Sequence, residues 1–157
     1  MKDKIKVLFI CLGNICRSPA AQGAFENLIK KRNLDHMFEV DSCGTSGYHD
    51  GELPDPRTRK VALQHGIQLT HRSRKLQSKD LQYFDYLIVM DNNNYNDVLS
   101  LMNDETLKNK IFKFGKFRTD AGPDIVPDPY YGSEKDFEKV QDLVENCSTG
   151  FLDYLGV

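Results

Sequence analysis

Long apolar runs and an excess of charge of one sign are both missing from this sequence. The longest apolar stretches span about six residues, far short of a bilayer, and residues 1–4 lack the apolar core of a secretory signal. With 21 basic and 23 acidic residues, the formal net charge is −2, so no long-range field draws the chain to nucleic acid or to a membrane surface. We therefore expect a cytoplasmic protein without nucleic-acid or membrane partners, in which any anion site is local.

Cysteine is also scarce, and several common motifs are absent. The four cysteines, Cys11, Cys16, Cys43 and Cys147, form no disulfide framework and no Cys-x-x-Cys pair, and no Cys/His cluster has the spacing of a zinc site. A Walker loop and a dinucleotide fingerprint do not occur either. The sequence therefore predicts free thiols, no metal and no cofactor.

Strands and helices alternate along the chain. The 157 residues, 39% of them hydrophobic, supply one packed core, so we expect a single domain over residues 1–157. Because strands alternate with helices, we predict an α/β fold in which a four-stranded parallel sheet is flanked by helices on both faces, as in flavodoxin-like proteins. The predicted strands are 5–10, 38–42, 84–90 and 111–114, and the predicted helices begin near residues 18, 57, 93 and 133.

The stretch 11–19, Cys-Leu-Gly-Asn-Ile-Cys-Arg-Ser-Pro, lies between the first strand and the first helix. A loop that contains glycine and leads into a helix points backbone N–H groups at one spot, and the helix dipole adds partial positive charge, which favours anion binding. Arg17 can donate a planar pair of hydrogen bonds to a phosphate. The same donors surround Cys11, and such surroundings lower a cysteine pKa from about 8.5 to about 3.5–7.5, so a thiolate is expected.

A thiolate inside a phosphate-binding loop is placed to attack phosphorus and form a phosphocysteine. Ser18 can donate a hydrogen bond to the departing sulfur, and the Asn14 side chain suits a tight loop. A lone cysteine at the end of a strand is more commonly a small buried hydrophobe, but folding does not require the arginine and Ser-Pro at this spacing. The predicted phosphate-binding residues are Leu12, Gly13, Asn14, Ile15, Cys16, Arg17 and Ser18.

The nine residues resemble the signature of low-molecular-weight protein tyrosine phosphatases. The resemblance covers essentially the whole chain in family order. It implies the fold predicted above, hydrolysis of phosphotyrosine proteins or small aryl phosphates, and inhibition by phosphate-like oxyanions. The matching segments beyond the loop are Asp41 and Ser42, residues 55–57, Thr70 and His71, residues 84–91, and residues 128–132.

A carboxylic acid is expected above the loop, because the leaving tyrosyl oxygen needs a proton that a thiolate cannot supply. Spacing alone does not choose among Asp120, Asp124 and Asp128. The family's Asp-Pro-Tyr-Tyr segment corresponds to residues 128–131, and this resemblance assigns Asp128 as the acid of the first step and the base of the second. Pro129 biases Asp128 towards an extended backbone and stiffens the segment.

The resemblance also assigns supporting roles. Asp91 is similar to the family's acidic residue that orients the arginine, and it also suits a helix N-cap. Ser42 and His71 are similar to residues that hydrogen-bond to the loop asparagine and serine. At Gln22 many members of the family have glutamate, so we expect weaker support for Arg17.

Aromatic side chains are expected to wall the site, because phosphotyrosine requires a deep slot. Tyr130 and Tyr131 adjoin the proposed acid, and Tyr48 lies in a glycine-rich loop, at a position where the family often has tryptophan. Aromatic residues of loops also serve as partly buried anchors, which is the alternative.

Cys16 lies five residues from Cys11 in a loop that curls around a phosphate, so we expect their sulfurs to approach closely enough for a reversible disulfide. A packed Cys16 that never oxidises is the alternative. Cys43 and Cys147 are expected to be core residues, Cys147 on the apolar face of the last helix.

Three other functions match parts of the sequence. Arsenate reductases coupled to thioredoxin resemble the loop and fold, but their relay requires a further cysteine pair near the third strand, and residues 70–100 contain none. Protein arginine phosphatases of the same family tend to have threonine at the position of Ile15 and a less aromatic acid loop. A non-catalytic phosphotyrosine-binding module would retain Arg17 and lose the nucleophile or the acid, whereas Cys11 and Asp128 are both present. A tyrosine phosphatase is therefore favoured.

Overall fold

Four parallel strands form the sheet of this protein, in the order β2-β1-β3-β4. The strands are β1 (Ile5–Cys11), β2 (Phe38–Gly44), β3 (Tyr86–Val89) and β4 (Ile111–Lys113). The computed structural model describes residues 3–157. Residues 1 and 2, which belong to the segment 1–4 considered above for a secretory signal, lie outside the described residues. The predicted four-stranded parallel sheet is confirmed.

Five α-helices connect and cover the strands in the described part of the chain. They are α1 (Arg17–Lys31), α2 (Pro56–Gln64), α3 (Ser78–Tyr83), α4 (Asn92–Leu101) and α5 (Glu134–Leu155). Two helices begin with common capping contacts: Asp55 caps α2 by accepting from the Arg57 N–H at 2.8 Å, and the Ser133 N–H donates to the Asp136 carboxylate at 2.8 Å before α5.

Helix α3 and the start of β3 differ from the prediction. At six residues, α3 is too short to show helical periodicity, and its first turn is held by the Gln77 N–H donating to the Asp80 carboxylate at 2.8 Å. Phe84 ends this helix instead of opening the strand. The Asp85 carboxylate accepts from the Lys6 N–H at 2.9 Å, so the strand ladder begins only at Tyr86.

The side chains of β1 alternate between two buried layers, which explains why this strand is a continuous apolar run. Phe9 packs with α1 and α5, edge-on to Phe25 at 5.8 Å between ring centroids. Leu8 and Ile10 pack with α3 and α4 on the opposite face. Cys147 and Cys43, as expected from the sequence, belong to the first and second layer respectively.

The topology brings two strand ends together at one edge of the sheet. From β1 the chain crosses to β2 on one side and then returns past β1 to β3 on the other, so β1 and β3 flank a topological switch point. Cys11 is the last residue of β1, and Asp91 follows β3 by two positions. The loops after these strands are therefore neighbours. No helix within residues 3–157 is long and apolar enough to cross a bilayer.

Candidate active site

The Cys11 side chain lies at the bottom of the loop between β1 and α1, surrounded by hydrogen-bonding groups. Its Sγ is 3.0 Å from the Ser18 Oγ, and the Asn14 N–H donates to it at 3.3 Å. The residue is 3% exposed. These polar contacts distinguish Cys11 from the two core cysteines and argue against a purely hydrophobic role, because the loop aims a backbone donor and a hydroxyl at its sulfur.

Asn14 holds the loop closed from within. Its φ of 56° lies in the left-handed region, which asparagine tolerates better than most residues. Its amide Nδ2 donates to the Ser18 Oγ at 2.7 Å and to the Ser42 Oγ at 3.0 Å, and its Oδ1 accepts from the His71 Nε2 at 2.9 Å. The structure thus places Ser42 and His71 on the loop asparagine, in the positions that the family resemblance assigns to them.

Burial lowers the pKa of His71. The positive charge of Arg74 lowers this pKa further, whereas the Asp41 carboxylate raises it. Because an amide oxygen only accepts hydrogen bonds, the neutral ring carries its proton on Nε2, facing Asn14. The Nδ1 atom lies 3.4 Å from the Asp41 carboxylate. Asn14 therefore fixes the proton on Nε2, whereas the carboxylate beside Nδ1 favours protonation of that nitrogen as well and so opposes the effect of burial.

The expectation that Gln22 loosens the support of Arg17 is wrong. The Gln22 Oε1 accepts from the Ser42 hydroxyl at 2.6 Å, so this side chain belongs to the network behind Asn14. The Arg17 guanidinium finds its partners elsewhere. The amide oxygen of Gln22 can accept the one proton that the Ser42 hydroxyl has to donate.

Arg17 is buried and bound by groups from two other loops. It donates to the Asp91 carboxylate at 2.6 Å and to the Val126 carbonyl at 3.2 Å, and it lies 3.7 Å from the Asp128 carboxylate. Burial opposes its charge, but Cys11 and Asp91 outweigh this effect and raise the pKa of the guanidinium. Asp91 also caps α4 by accepting from the Asn94 N–H at 2.8 Å, so both of its predicted roles are met geometrically.

Tertiary structure separates the three candidate acids that sequence spacing left open. Asp120 is paired with Arg118 at 2.7 Å, and Asp124 with Lys113 at 2.7 Å. Asp128 alone of the three lines the cavity above Cys11. The geometry therefore agrees with Asp128 as the residue able to reach a leaving group.

A cavity of about 470 Å³ opens above the loop and contains Cys11 at its base. Three tyrosines line it as expected, with exposed fractions of 85% for Tyr48, 37% for Tyr130 and 95% for Tyr131. They are not buried anchors, because at least a third of each side chain faces solvent. A flat aromatic group entering the cavity would meet these rings on its way to the sulfur.

Comparison with known proteins decides the family. The profile of the family described as low molecular weight phosphotyrosine protein phosphatase matches residues 6–156. The low molecular weight phosphotyrosine protein phosphatase of Saccharomyces cerevisiae is 44% identical over 140 residues, which cover 87% of this chain and 86% of the yeast protein. The chain belongs to this family.

Solved structures of the family agree with that assignment. A protein tyrosine phosphatase from Entamoeba histolytica, with Hepes in its active site, superposes with a TM-score of 0.94 at 42% identity and covers 98% of this chain and 97% of its own. The arginine phosphatase of Drosophila superposes with a TM-score of 0.90 at 30% identity and covers 97% and 98% respectively. The fold is thus shared by phosphatases named for different phosphorylated residues.

Several residues of this phosphatase site were missed by the sequence analysis. The Ser73 hydroxyl donates to the Gly13 carbonyl at 3.0 Å, and the Arg74 N–H donates to the Asn14 Oδ1 at 3.2 Å. Their proximity to His71 in the chain was the available signal. Ser46 and His49 line the cavity and come from the glycine-rich loop that also contains Tyr48.

Cys16 is a buried residue of the loop between β1 and α1. Burial raises the pKa of its thiol to about 12, and Asp55 and Cys11 add to this effect. Cys16 is therefore a thiol at neutral pH. Within residues 3–157, no three His, Cys, Asp or Glu side chains are grouped so as to hold a metal ion.

Replacement of Asn14 separates the effect of its side chain from that of its backbone. We expect Asn14→Ala to lower the free energy of unfolding by about 2–4 kcal/mol, because buried hydroxyls and the His71 N–H lose their partner. Asn14→Gly should recover about 1 kcal/mol, since glycine adopts positive φ without strain. Urea denaturation measures both values, and equal stability of the two variants would contradict the strain argument.

Proposed function

We propose that this protein hydrolyses phosphotyrosine in proteins, and small aryl phosphates, through a phosphocysteine intermediate. One observation carries the proposal: the Cys11 sulfur, the Arg17 guanidinium and the Asp128 carboxyl line a single cavity. Nucleophile, anion-binding group and acid are the three parts that hydrolysis of a phosphate monoester by a cysteine requires.

In the first step, Arg17 and the loop N–H groups bind the non-bridging oxygens of the substrate phosphate. The Cys11 thiolate attacks phosphorus in line with the leaving oxygen, so the S–P bond forms as the P–O bond breaks. Asp128 gives its proton to the phenolic oxygen, which leaves as a neutral phenol. The 3.7 Å separation of Asp128 from Arg17 supports this role, because an acid beside the arginine would also lie beside a phosphate bound by it.

In the second step, the Asp128 carboxylate takes a proton from water as the water oxygen attacks phosphorus. The new P–O bond replaces the S–P bond, and inorganic phosphate is released. The Ser18 hydroxyl, 3.0 Å from the Cys11 sulfur, donates to the departing thiolate. Free phosphate and similar oxyanions should compete with substrate, because they bind the same donors.

Phosphotyrosine is favoured over other phosphorylated residues by the depth of the site. Cys11 is buried at the base, and aromatic rings surround the entrance. Ile15, an apolar residue that lines the cavity, stands where arginine phosphatases of the family tend to have threonine. The two cysteines outside the loop, Cys43 and Cys147, are buried in opposite layers of the core, which leaves no second cysteine pair for an arsenate reductase relay.

Cys11→Ser should abolish turnover while oxyanion binding remains. A serine hydroxyl retains the volume of the side chain and the surrounding donors but is a far weaker nucleophile than a thiolate. We expect no measurable release of phosphate from a phosphotyrosine peptide, together with the same stabilisation by added phosphate as in the wild type in a thermal unfolding assay. Appreciable phosphatase activity in this variant would remove Cys11 as the nucleophile.

Asp128→Ala should act on substrates according to their leaving group. Phenyl phosphate should lose about 10²–10⁴-fold in kcat/KM, the usual contribution of a general acid, and 4-nitrophenyl phosphate much less, because nitrophenolate leaves without a proton. Asp120→Ala is the matched control, since Asp120 is paired with Arg118 outside the cavity. Equal losses on both substrates would exclude Asp128 as the acid.

We further propose that peroxide inactivates the enzyme reversibly. Peroxide oxidises the Cys11 sulfur to a sulfenic acid and releases water, and condensation with the Cys16 thiol then forms a disulfide and a second water. The high pKa of Cys16 makes Cys11 the sulfur that is oxidised first. A disulfide protects Cys11 from irreversible oxidation.

Cys16→Ala tests this protection. Wild-type activity lost to peroxide should return with dithiothreitol, whereas activity of Cys16→Ala should not, because its sulfenic acid oxidises further. Wild-type enzyme with phosphate bound during peroxide treatment is the control, and it should retain activity in the absence of reductant. Full recovery of the variant with dithiothreitol would show that Cys16 does not resolve the sulfenic acid.

A further inference from the structure

The Arg57 side chain connects helix α2 to the segment that contains Asp128. Its Nη2 donates to the Tyr130 carbonyl at 3.0 Å. The N–H of the same tyrosine donates to the Asp128 Oδ1 at 3.1 Å. Both backbone groups of Tyr130 are therefore bound, one by the proposed acid and the other by Arg57.

The guanidinium of Arg57 is itself held in place. Its Nε and Nη2 donate to the Asp55 carboxylate at 3.1 and 3.0 Å, and its plane lies 4.4 Å from the centroid of the Phe137 ring. Burial opposes the charge of Asp55, but hydrogen bonds from Arg57 outweigh this and lower the pKa of the carboxyl. The forked pair and the ring contact leave the guanidinium little freedom to turn.

Asp55 extends the connection to the phosphate loop. Its backbone N–H donates to the Ile15 carbonyl at 2.8 Å. The chain of contacts thus runs from Ile15 through Asp55 and Arg57 to Tyr130, and so to Asp128. It joins the loop around the nucleophile to the segment that carries the acid.

Residues 127–132, here called the acid segment, are also restrained by the contact of Asp128 with Arg17 at 3.7 Å and by burial of Pro129. In the described part of the chain, Arg57 is the one side chain from outside the segment that hydrogen-bonds to its backbone. A bond from the Gly132 N–H to the Pro129 carbonyl, 2.8 Å long, lies within it. Tyr131, at 95% exposure, adds almost no packing.

We propose that Arg57 is a positioning residue that sets the distance between the Asp128 carboxyl and the leaving oxygen. This rests on the proposed function, in which Asp128 is the acid. Arg57 does not line the cavity, so it acts on the reaction through Tyr130 and Asp128. Proton transfer requires the acid to lie at hydrogen-bond distance from the leaving oxygen. Loss of the Arg57 contact should therefore weaken acid catalysis more than it weakens phosphate binding.

Arg57→Ala tests the proposal on a series of aryl phosphates. We expect kcat/KM for phenyl phosphate to fall about 10- to 100-fold, which is the loss that a displacement of the acid by about 1 Å produces. For 4-nitrophenyl phosphate, kcat/KM should change by less than about threefold, because nitrophenolate needs little acid catalysis to leave. Inhibition by inorganic phosphate should be unchanged. For Arg57→Lys, kcat/KM for phenyl phosphate should lie between the values of wild type and Arg57→Ala. An ammonium group can bind the Tyr130 carbonyl or Asp55, but it cannot make the paired hydrogen bonds to the Asp55 carboxylate at the same time.

Arg59→Ala is the matched control. Arg59 lies on the same helix and donates to the Pro54 carbonyl at 2.9 Å, without a contact to the acid segment. This variant should leave the dependence on leaving group as in the wild type. In an Asp128→Ala background, Arg57→Ala should cause no further loss, because the residue through which it acts is gone.

Two outcomes would overturn the role of Arg57: equal losses on all substrates, or a further loss in the Asp128→Ala background. Either would show a general structural effect. Failure of the proposed function is visible separately, because wild-type enzyme would then not hydrolyse aryl phosphates, or Asp128→Ala would leave the dependence on leaving group unaltered. That result would overturn the positioning role together with the acid.

Discussion

The hydrogen bonds of the Asn14 side chain are the constraint on which the rest of the site depends. A backbone in the left-handed region costs about 1 kcal/mol, and in that conformation the Asn14 N–H donates to the Cys11 sulfur. Ser18 and Ser42 on one side and His71 on the other satisfy every polar atom of the amide. A fully satisfied buried network favours one arrangement strongly, because each alternative leaves a donor or acceptor without a partner.

Arg17 shows how the same preformed geometry governs charge. The guanidinium is buried, and its Nη1 donates to the Asp91 carboxylate at 2.6 Å and to the Val126 carbonyl at 3.2 Å, which restrict its orientation. A phosphate that enters therefore meets a cation already oriented and already removed from water. The charged groups around the phosphate then need to move little during the reaction, and such preorganisation is the usual source of electrostatic stabilisation in enzymes.

Sequence patterns predicted those parts of the structure that depend on residues close together in the chain. The alternation of strands with helices predicted the parallel sheet, and β1 and the loop at 11–17 are continuous in sequence, which predicted where the candidate site lies. The choice of Asp128 over Asp120 and Asp124 needed the family resemblance, because it depends on which cation each carboxylate meets in the folded chain. The role of Gln22 was mistaken for the same reason, since its partner Ser42 is twenty residues away in the chain.

The two loops of the site differ in the number of hydrogen bonds that hold them, and the proposed chemistry accounts for the difference. In the proposed mechanism the loop after β1 binds the same non-bridging oxygens in both steps, so a rigid network behind it is compatible with function. In the same mechanism Asp128 serves a phenolic oxygen first and a water afterwards, and the exposed Tyr131 lies at the entrance through which a substrate would reach it. An acid segment whose backbone Arg57 holds at a single carbonyl meets both demands, because this contact aims the carboxyl while the Tyr131 side chain stays exposed at the entrance.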